Sequence, residues 1–346
     1  MGKEKLCFFD TKPYDKEFFE NYNKDYGFEI QFFEEKLNFR TAIMAAGSKA
    51  VCAFVNDTLD KRVMDTLAEC GVEVIGMRCA GYNNVDFKAA FGRIHIVRVP
   101  AYSPYAVAEH TMGMLLMLNR KLHRAYNRTR EYNFSLNGLT GFDLHGKTIG
   151  IIGTGKIGRI FIDVCLGFGM KVVAYDPYPV QGSNITYVSL EELCRTSDII
   201  SLHCPLTKET HHIINPETLA WMKKGVYIIN TSRGALIDSE ALLSALKSGF
   251  IGAAGLDVYE EETDFFYEDV SNQILQDDIL ARLISLPNVL VTSHQAFLTK
   301  EALGNIAETT LKNLKDYFDG KPLENEICYQ CSKDNSCKKN HKERCF

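Results

Sequence analysis

The chain has 346 residues, a length that predicts two domains with separate cores. Its 46% hydrophobic and 24% charged residues are typical of a globular protein, and its net charge of −5 excludes an electrostatic case for nucleic acid as the main partner. We find no signal-peptide core, myristoylation pattern or bilayer-length apolar run, so no membrane partner is expected. Eleven cysteines in such a chain predict reduced thiols and a cytoplasmic location.

Strands and helices alternate over the first hundred residues. A typical helix runs from Asp60 to Cys70, has apolar residues at helical spacing and ends at Gly71. Such alternation predicts a parallel sheet covered by helices on both faces. The predicted strands are residues 5–9, 28–33, 50–55, 72–75 and 94–97.

A long helix is predicted next, from Pro104 to roughly residue 128, with Ser103 as its N-cap. Its Met and Leu side chains surround most of the helix circumference, which indicates burial between domains or between subunits. We therefore expect a homodimer.

The alternation restarts at Lys147 and predicts six more strands, enough for a complete dinucleotide-binding sheet. A final helix is predicted from Lys300 to Phe318, ending before Gly320. The expected fold class is therefore α/β, with two doubly wound parallel-sheet domains. The predicted strands are 147–152, 171–175, 198–203, 226–230, 252–257 and 289–292, and the helices between them are 156–168, 189–195, 216–223 and 238–248.

A glycine pattern follows the first strand of this second series and opens a helix. Gly153 permits a tight turn, Gly155 lets the backbone approach a pyrophosphate, and Gly158 lets the helix pack closely on the sheet. The backbone amides of Lys156 and Ile157 are then free donors for phosphate at the helix N-terminus. In this strand–turn–helix context, the pattern predicts a dinucleotide site.

An aspartate ends the next strand, 18 residues after the third glycine. Asp176 is placed to accept hydrogen bonds from the adenosine ribose hydroxyls and to repel a 2′-phosphate. No Arg occurs in the five residues that follow it. The sequence therefore predicts NAD rather than NADP.

Polar side chains follow three later strands, at the sheet edge where open α/β sheets bind ligands. Arg233 offers a two-point fork to the carboxylate of a 2-oxo acid, although a surface Arg is the alternative. Glu260–Glu262 taken alone fits a solvated acidic run, and His294 taken alone fits a structural role equally well. Together they fit a proton donor held by a carboxylate while hydride reaches a carbonyl carbon.

Five ordered motifs carry a family resemblance: DLHGKTIGIIGTGKIGR (143–159), SLHCP (201–205), INTSRGALID (229–238), GLDVYEEE (255–262) and LPNVLVTSHQAF (286–297). Over about residues 1–325 the chain resembles the D-isomer-specific 2-hydroxyacid dehydrogenases, most closely their D-lactate dehydrogenase branch. The resemblance implies a Rossmann NAD-binding domain at 101–298, inserted in a flavodoxin-like substrate domain made of 1–100 and 299–330.

The resemblance also implies roles for individual residues. Arg233 would bind the substrate carboxylate, His294 would be the acid/base, and Glu262 would be its partner. His203 would lie near the cofactor, with a structural strand-end His as the alternative. Residues implied to line the cofactor, besides the glycine turn and Asp176, are Cys204, Pro205, Thr210, Thr231, Ser232 and Asp257; those implied near the substrate are Cys79, Ala80, Gly81, Tyr102, Arg233, His294 and Phe297.

The activity implied is reversible hydride transfer from NADH to pyruvate, giving D-lactate. Larger 2-oxo acids, such as those related to 2-hydroxyisocaproate or phenyllactate, are the alternative substrates, because Ser293 and Gln295 depart from common family residues around His294. A non-enzymatic NAD(H)-sensing protein on the same scaffold is a second class of function. The intact Arg233, Glu262 and His294 favour the enzyme.

The C-terminal segment has no counterpart in the family pattern. Cys328, Cys331, Cys337 and Cys345, with His341 among them, could ligate zinc, but their spacing fits no common zinc module. A mobile, cysteine-rich tail at 331–346 is the favoured interpretation, and no metal ligand is assigned.

Overall fold

The computed structural model describes residues 3–260, 266–330 and 344–346. The chain divides into two compact units, Met1–Ser103 with Thr299–Phe346, and Pro104–Leu298. Each unit contains one parallel sheet with helices, so the predicted α/β fold class is confirmed. None of the helices among the described residues is long and apolar enough to cross a membrane.

The sheet of the first unit has the strand order β2-β1-β3-β4-β5, and all its pairings are parallel. This is the flavodoxin-like order, in which the direction of strand addition reverses between β1 and β3. Its strands are β1 (Lys5–Phe8), β2 (Glu29–Phe32), β3 (Ala50–Ala53), β4 (Val74–Met77) and β5 (His95–Arg98), and its helices are α1 (Pro13–Tyr22), α2 (Lys61–Glu69), α3 (Phe87–Ala90) and the C-terminal α11 (Lys300–Phe318), with a 3-10 turn at Ala42–Ala45.

The helix α11 has the bounds that the sequence predicts. Thr299 caps its N-terminus by accepting a hydrogen bond from the Ala302 N–H, and Gly320 follows it with a φ of +72°. On β4, a Cβ added to Gly76 would lie 3.3 Å from side-chain atoms of Thr310 and Leu314. The small residue therefore lets α11 pack closely on the sheet.

The second unit has the strand order β7-β6-β8-β9-β10-β11, again entirely parallel. The first strand of the unit, β6, pairs with both β7 and β8, so it lies inside the sheet and the order reverses between β6 and β8. A parallel bridge between Ala174 and Tyr187 extends the sheet beyond β7. Ligands bind at such a reversal. Its strands are β6 (Thr148–Ile152), β7 (Lys171–Tyr175), β8 (Ile199–Leu202), β9 (Val226–Asn230), β10 (Ile251–Leu256) and β11 (Val289–Val291).

Helices cover both faces of this sheet. One apolar core joins α4, β6 and α6, and a second core packs α7 to α10 on the opposite face. The sequence did not predict α10, a short helix before β11. The helices are α4 (Pro104–Arg120), α5 (Leu122–Arg130), α6 (Lys156–Gly167), α7 (Leu190–Thr196), α8 (Pro216–Trp221), α9 (Ser239–Lys247) and α10 (Asp278–Ser285), with a 3-10 turn at Gly234–Leu236.

The single helix predicted from Pro104 to about residue 128 is wrong, because Lys121 has a φ of +51° and separates α4 from α5. Near the break, the side-chain amide of Asn119 donates to the Phe142 carbonyl at 2.7 Å and accepts from the Phe142 N–H at 2.9 Å. These two bonds hold a later segment against the end of α4. The apolar face of α4 packs within the second unit, where a Cβ on Gly255 of β10 would lie 3.1 Å from Leu118.

Candidate active site

The glycine turn lies at the carboxyl end of β6, next to the reversal of strand order. Gly153 has a φ of +97°, and a Cβ there would overlap the backbone of Cys204 at the end of β8. A Cβ on Gly158 would overlap the Gly153 carbonyl oxygen, so α6 begins directly against the turn. A Cβ on Gly155 would meet nothing within 4 Å, which leaves open space where a pyrophosphate would approach the α6 N-terminus.

Asp176 follows β7 and faces this turn. Its Oδ2 accepts hydrogen bonds from the Thr154 N–H at 2.7 Å and from the Thr154 hydroxyl at 2.9 Å, and its Oδ1 accepts from the Tyr178 N–H at 2.9 Å. The Tyr187 hydroxyl in turn donates to Thr154 Oγ1 at 3.0 Å. The carboxylate is thus fixed beside the phosphate turn, with lone pairs left for ribose hydroxyls.

The loop after β9 carries Arg233. Asn230 organises it, because its side chain accepts from the Ser232 N–H at 3.0 Å and donates to the Arg233 carbonyl at 2.8 Å. Arg233 is half-buried, and its Nη1 donates to the Ser232 carbonyl at 2.7 Å, one of the five N–H donors of a guanidinium. A Cβ on Gly234 would overlap the backbone of Tyr259, so the loops after β9 and β10 are in direct contact.

A buried carboxylate, Asp257, directly follows β10. Its Oδ1 accepts from the Thr292 hydroxyl at 2.6 Å and the Gln295 N–H at 2.9 Å, and its Oδ2 accepts from the Ala296 N–H at 2.9 Å. His110 Nε2 lies 3.4 Å from Oδ1. Burial disfavours the charged form, but the hydrogen bonds outweigh it and hold the pKa of Asp257 below its ordinary value. Asp257 is therefore ionised at neutral pH.

His294 lies on the segment that these bonds organise. Its N–H donates to the Asp257 carbonyl at 2.7 Å, and its own carbonyl accepts from the Tyr267 hydroxyl at 3.3 Å. Its φ of +48° is left-handed, which costs a non-glycine residue roughly 1–2 kcal/mol. The fold therefore holds His294 in a strained backbone conformation shortly after β11, with its side chain partly exposed.

Sequence reasoning missed two polar residues on α4. His110 Nε2 lies 3.3 Å from Thr292 Oγ1, and Thr111 Oγ1 lies 2.8 Å from Thr231 Oγ1 in the loop after β9. The available signal was a pair of polar residues inside an otherwise apolar helix. Only the packing of α4 on the sheet reveals that they reach the strand-end loops.

Residues 112–296 match the family model described as D-isomer specific 2-hydroxyacid dehydrogenase, NAD binding domain. The chain belongs to this family. It is 52% identical to the D-lactate dehydrogenase of Escherichia coli K12 over 328 residues, 93% of this chain and 99% of that protein. The resemblance inferred from the five motifs is confirmed, and so is NAD as the cofactor.

Two solved structures support the same conclusion. The apo-structure of the Escherichia coli D-lactate dehydrogenase superposes with a TM-score of 0.87 at 50% identity and covers 93% of this chain and 99% of its own. The structure of the pyruvate reductase of Chlamydomonas reinhardtii superposes with a TM-score of 0.90 at 44% identity and covers 93% of this chain and 98% of its own. The family relationship therefore extends through both units.

The remaining cofactor-side predictions lie in the loops after β8 and β9. The Ser232 hydroxyl donates to the Cys204 carbonyl at 2.7 Å, so these two loops meet beside the glycine turn. Thr210 closes the loop that begins at Pro205, because its hydroxyl donates to the Pro205 carbonyl at 2.7 Å. His203 bonds to Ser201 Oγ through Nε2 at 2.9 Å, which favours the structural alternative, and burial lowers the pKa of His203 to about 3.

The substrate-side predictions fall in both units. In the first unit, Cys79, Ala80 and Gly81 follow β4, and Arg98 holds their loop by donating from Nη1 to the Ala80 carbonyl at 2.7 Å. The Tyr102 carbonyl accepts from the side chain of Asn305 at 2.9 Å. In the second unit, Phe297 is buried three residues after His294.

Two predicted features lie wholly or partly outside the described residues. Glu262, the expected partner of His294, is among residues 261–265, so that pair stays a prediction. Cys331, Cys337 and His341 are among residues 331–343, which also lie outside the described residues. The mobile tail therefore stays a prediction for residues 331–343. At the chain end, the Cys345 N–H donates to Glu326 Oε2 at 2.7 Å.

Proposed function

We propose that the protein is an NAD-dependent D-lactate dehydrogenase that reduces pyruvate to D-lactate and catalyses the reverse oxidation. The observation that carries the proposal is the edge of the second sheet, where one series of strand ends holds the phosphate turn, Asp176, Arg233 and the Asp257–His294 segment. The names of the similar proteins support pyruvate as the substrate.

In this proposal the residues of the chain divide the work of carbonyl reduction. NADH, when bound, supplies the hydride that reaches the carbonyl carbon. Arg233 holds the substrate carboxylate through its N–H fork and so orients the carbonyl group. His294, as the imidazolium, gives its proton to the carbonyl oxygen, and Glu262 stabilises that imidazolium. In the reverse reaction neutral His294 takes the hydroxyl proton.

Asp257 has a positioning role in this scheme. Its carboxylate binds the N–H groups of Gln295 and Ala296, and its backbone carbonyl binds the N–H of His294. Because the three bonds share one residue, the left-handed conformation of His294 depends on Asp257. The family resemblance also implies that the Asp257 carboxylate lies near the nicotinamide amide of bound NAD.

The roles of the two units follow from the same proposal. The second unit would bind NAD, and the roles of the Ala80–Gly81 loop and Tyr102 of the first unit near the substrate stay predictions from the family resemblance. The cytoplasmic location stays a prediction; no disulfide joins two of the described cysteines, which is consistent with a reducing compartment.

We also propose a homodimer, but on a different surface from the one that the sequence suggested. α4 is largely buried within the second unit, whereas apolar side chains are exposed on α5 and the segment after it: Leu122, Tyr126, Tyr132, Phe134 and Leu136. Light scattering coupled to size exclusion should give about twice the chain mass of 39.1 kDa. A monomer would contradict the proposal.

The activity is tested by NADH oxidation with pyruvate, 2-oxoisocaproate and phenylpyruvate. We expect the highest kcat/KM with pyruvate; a larger 2-oxo acid as the best substrate would change the substrate assignment, and turnover of none would favour an NAD(H)-binding protein without activity. Arg233→Gln should lower kcat/KM roughly 30- to 5,000-fold, since loss of one partner of a buried charge pair costs about 2–5 kcal/mol. NADH binding, followed by fluorescence, should be unchanged.

A further inference from the structure

A second cluster of ligand-type side chains lies in the NAD-binding unit, and the proposed reaction does not use it. His211 and His212 follow β8 in the loop that contains Thr210, and Glu260 follows β10. One nitrogen of each imidazole and one carboxylate oxygen all lie within 4.8 Å of one another. Among the described residues, no other group of three or more His, Cys, Asp or Glu side chains meets this criterion.

The backbone is shaped to bring the two histidines together. Neighbouring side chains in an extended segment point to opposite sides, but His212 has a φ of +50°, and its ring stacks on that of His211 with centroids 3.9 Å apart. This left-handed conformation costs roughly 1–2 kcal/mol outside glycine. It is held by hydrogen bonds from the His212 N–H to the Ala235 carbonyl at 2.9 Å and from the Asn215 side chain to the His212 carbonyl at 2.9 Å.

The carboxylate is oriented as a metal ligand would be. His212 Nε2 lies 2.6 Å from Glu260 Oε1, and the Ser239 hydroxyl donates to Oε2 at 3.1 Å. An outer partner of this kind fixes a ligand and is a common feature of metal sites. His212 and Glu260 are partly exposed and His211 is exposed, so an ion can reach the cluster from solvent.

We propose that His211, His212 and Glu260 form a site for a zinc-class divalent cation, with water as the fourth ligand. Two imidazoles and a carboxylate are a ligand set that Zn²⁺ and Co²⁺ accept. Bond lengths of about 2.0–2.2 Å require ligand atoms about 3.4 Å apart in a tetrahedron. The short His212–Glu260 contact therefore opens slightly on binding, and His211 moves inward.

The site has a structural consequence for the second unit. Its ligands come from the loops after β8 and β10, and the loop after β9 touches both through Ala235 and Gly234. A bound cation would cross-link strand-end loops that carry Thr210, Arg233 and the start of the segment leading to Glu262. The simpler function of the cluster, a His212–Glu260 ion pair, needs no contribution from His211.

His211 therefore decides between the two functions. The test is Zn²⁺ titration of the full-length, metal-stripped protein against a chromophoric chelator, in a Cys331→Ser, Cys337→Ser background that removes two thiols of the C-terminal segment. We expect one equivalent to bind in this background. In the same background, His211→Phe keeps an aromatic ring to stack on His212 but removes the ligand, and should weaken that equivalent at least tenfold.

A matched control and a second readout complete the experiment. His145→Phe replaces an exposed His of the same unit and should bind Zn²⁺ like its parent. Co²⁺ bound to the parent should give the visible spectrum of nitrogen and oxygen ligands, and His211→Phe should lose it. Equal Zn²⁺ affinity of His211→Phe and its parent, or no bound equivalent in the parent, would overturn the proposal. NADH turnover without metal checks that His211→Phe is folded.

Discussion

Two buried aspartates, one at the carboxyl edge of each sheet, have pKa values shifted in opposite directions. Asp57 lies shortly after β3 and accepts from the N–H groups of Leu37 and Phe54, each at 2.6 Å. Burial raises the pKa of Asp57 to about 6, although Arg78 and these two bonds oppose the shift. Asp257 is equally buried, yet its pKa is lowered.

The difference lies in the number and placement of donors. Asp257 has a hydroxyl, two backbone N–H groups and an imidazole nitrogen around its two oxygens, whereas Asp57 has two backbone N–H groups and shares its cation. Arg78 is sandwiched between Phe8 and Phe54, with its guanidinium carbon 4.6 Å from each ring centroid, and lies 3.6 Å from Asp15. Donors fixed on the carboxylate stabilise its charge better than one shared guanidinium.

Replacement of Asp257, the carboxylate with more hydrogen-bond donors, should have the largest effect. In Asp257→Asn, the side-chain NH₂ must face at least one donor that the carboxylate accepted, because an amide has a single acceptor oxygen. We expect a loss of about 3 kcal/mol of unfolding free energy. NADH turnover with pyruvate should fall as well, because the side-chain bonds that hold the segment of His294 are weakened. Trp221, the only Trp of the chain, lies in the second unit, so its fluorescence during urea unfolding measures the change.

His294→Asn separates the two effects of that change. Asn tolerates the left-handed conformation, so this variant should unfold within about 0.5 kcal/mol of the parent. Its turnover should fall roughly 10²- to 10⁴-fold, because the acid is gone. If Asp257→Asn keeps the parent's stability, the donors around Asp257 are not what stabilises its charge, and the comparison fails.

A sequence can predict the site residues that directly follow apolar strands. Gly153, Asp176, Arg233 and His294 were predicted because each follows an apolar strand, and parallel strands bring their carboxyl ends to one edge. The bounds of α11 followed from its cap residues and its periodicity. These features depend on local sequence alone.

Other features depend on packing between distant segments. His110 and Thr292 are 182 residues apart and meet only because α4 packs on the β9–β11 edge. The left-handed Lys121 that ends α4, and the hydrogen bonds between Asn119 and Phe142 beside it, are not revealed by any periodicity. The donors that set the pKa of Asp257 belong to the same class, so a sequence indicates the carboxylate but not its charge state.

Asp57→Asn should have a much smaller effect than Asp257→Asn. The amide loses one acceptor toward Leu37 or Phe54, but it also removes a charge that burial disfavours, and Arg78 keeps Asp15 nearby. The two terms oppose each other, so we expect the free energy of unfolding at pH 7 to change by about 1 kcal/mol or less. Circular dichroism measures the unfolding of both units, whereas Trp221 fluorescence measures that of the second. A change seen by circular dichroism alone therefore belongs to the first unit. A loss comparable to that in Asp257→Asn would mean that the hydrogen bonds of Asp57 outweigh the unfavourable burial of its charge, and would contradict the expected difference between the two aspartates.

Asp57 also gives the first unit a pH dependence. Its pKa of about 6 in the folded chain exceeds the unfolded value of about 3.9, so between these values the folded state holds a proton that the unfolded state has lost. The stability contributed by the protonated form is complete below about pH 4 and is lost as the pH rises through 6, by up to about 3 kcal/mol. The stability that Asp257 contributes changes with pH in the opposite direction: its pKa is lowered, so the contribution is present at neutral pH and is lost only in acid. Urea unfolding of the parent and Asp57→Asn from pH 4.5 to 7 should therefore give a difference that shrinks or reverses as the pH rises; a constant difference would place the pKa of Asp57 outside this window.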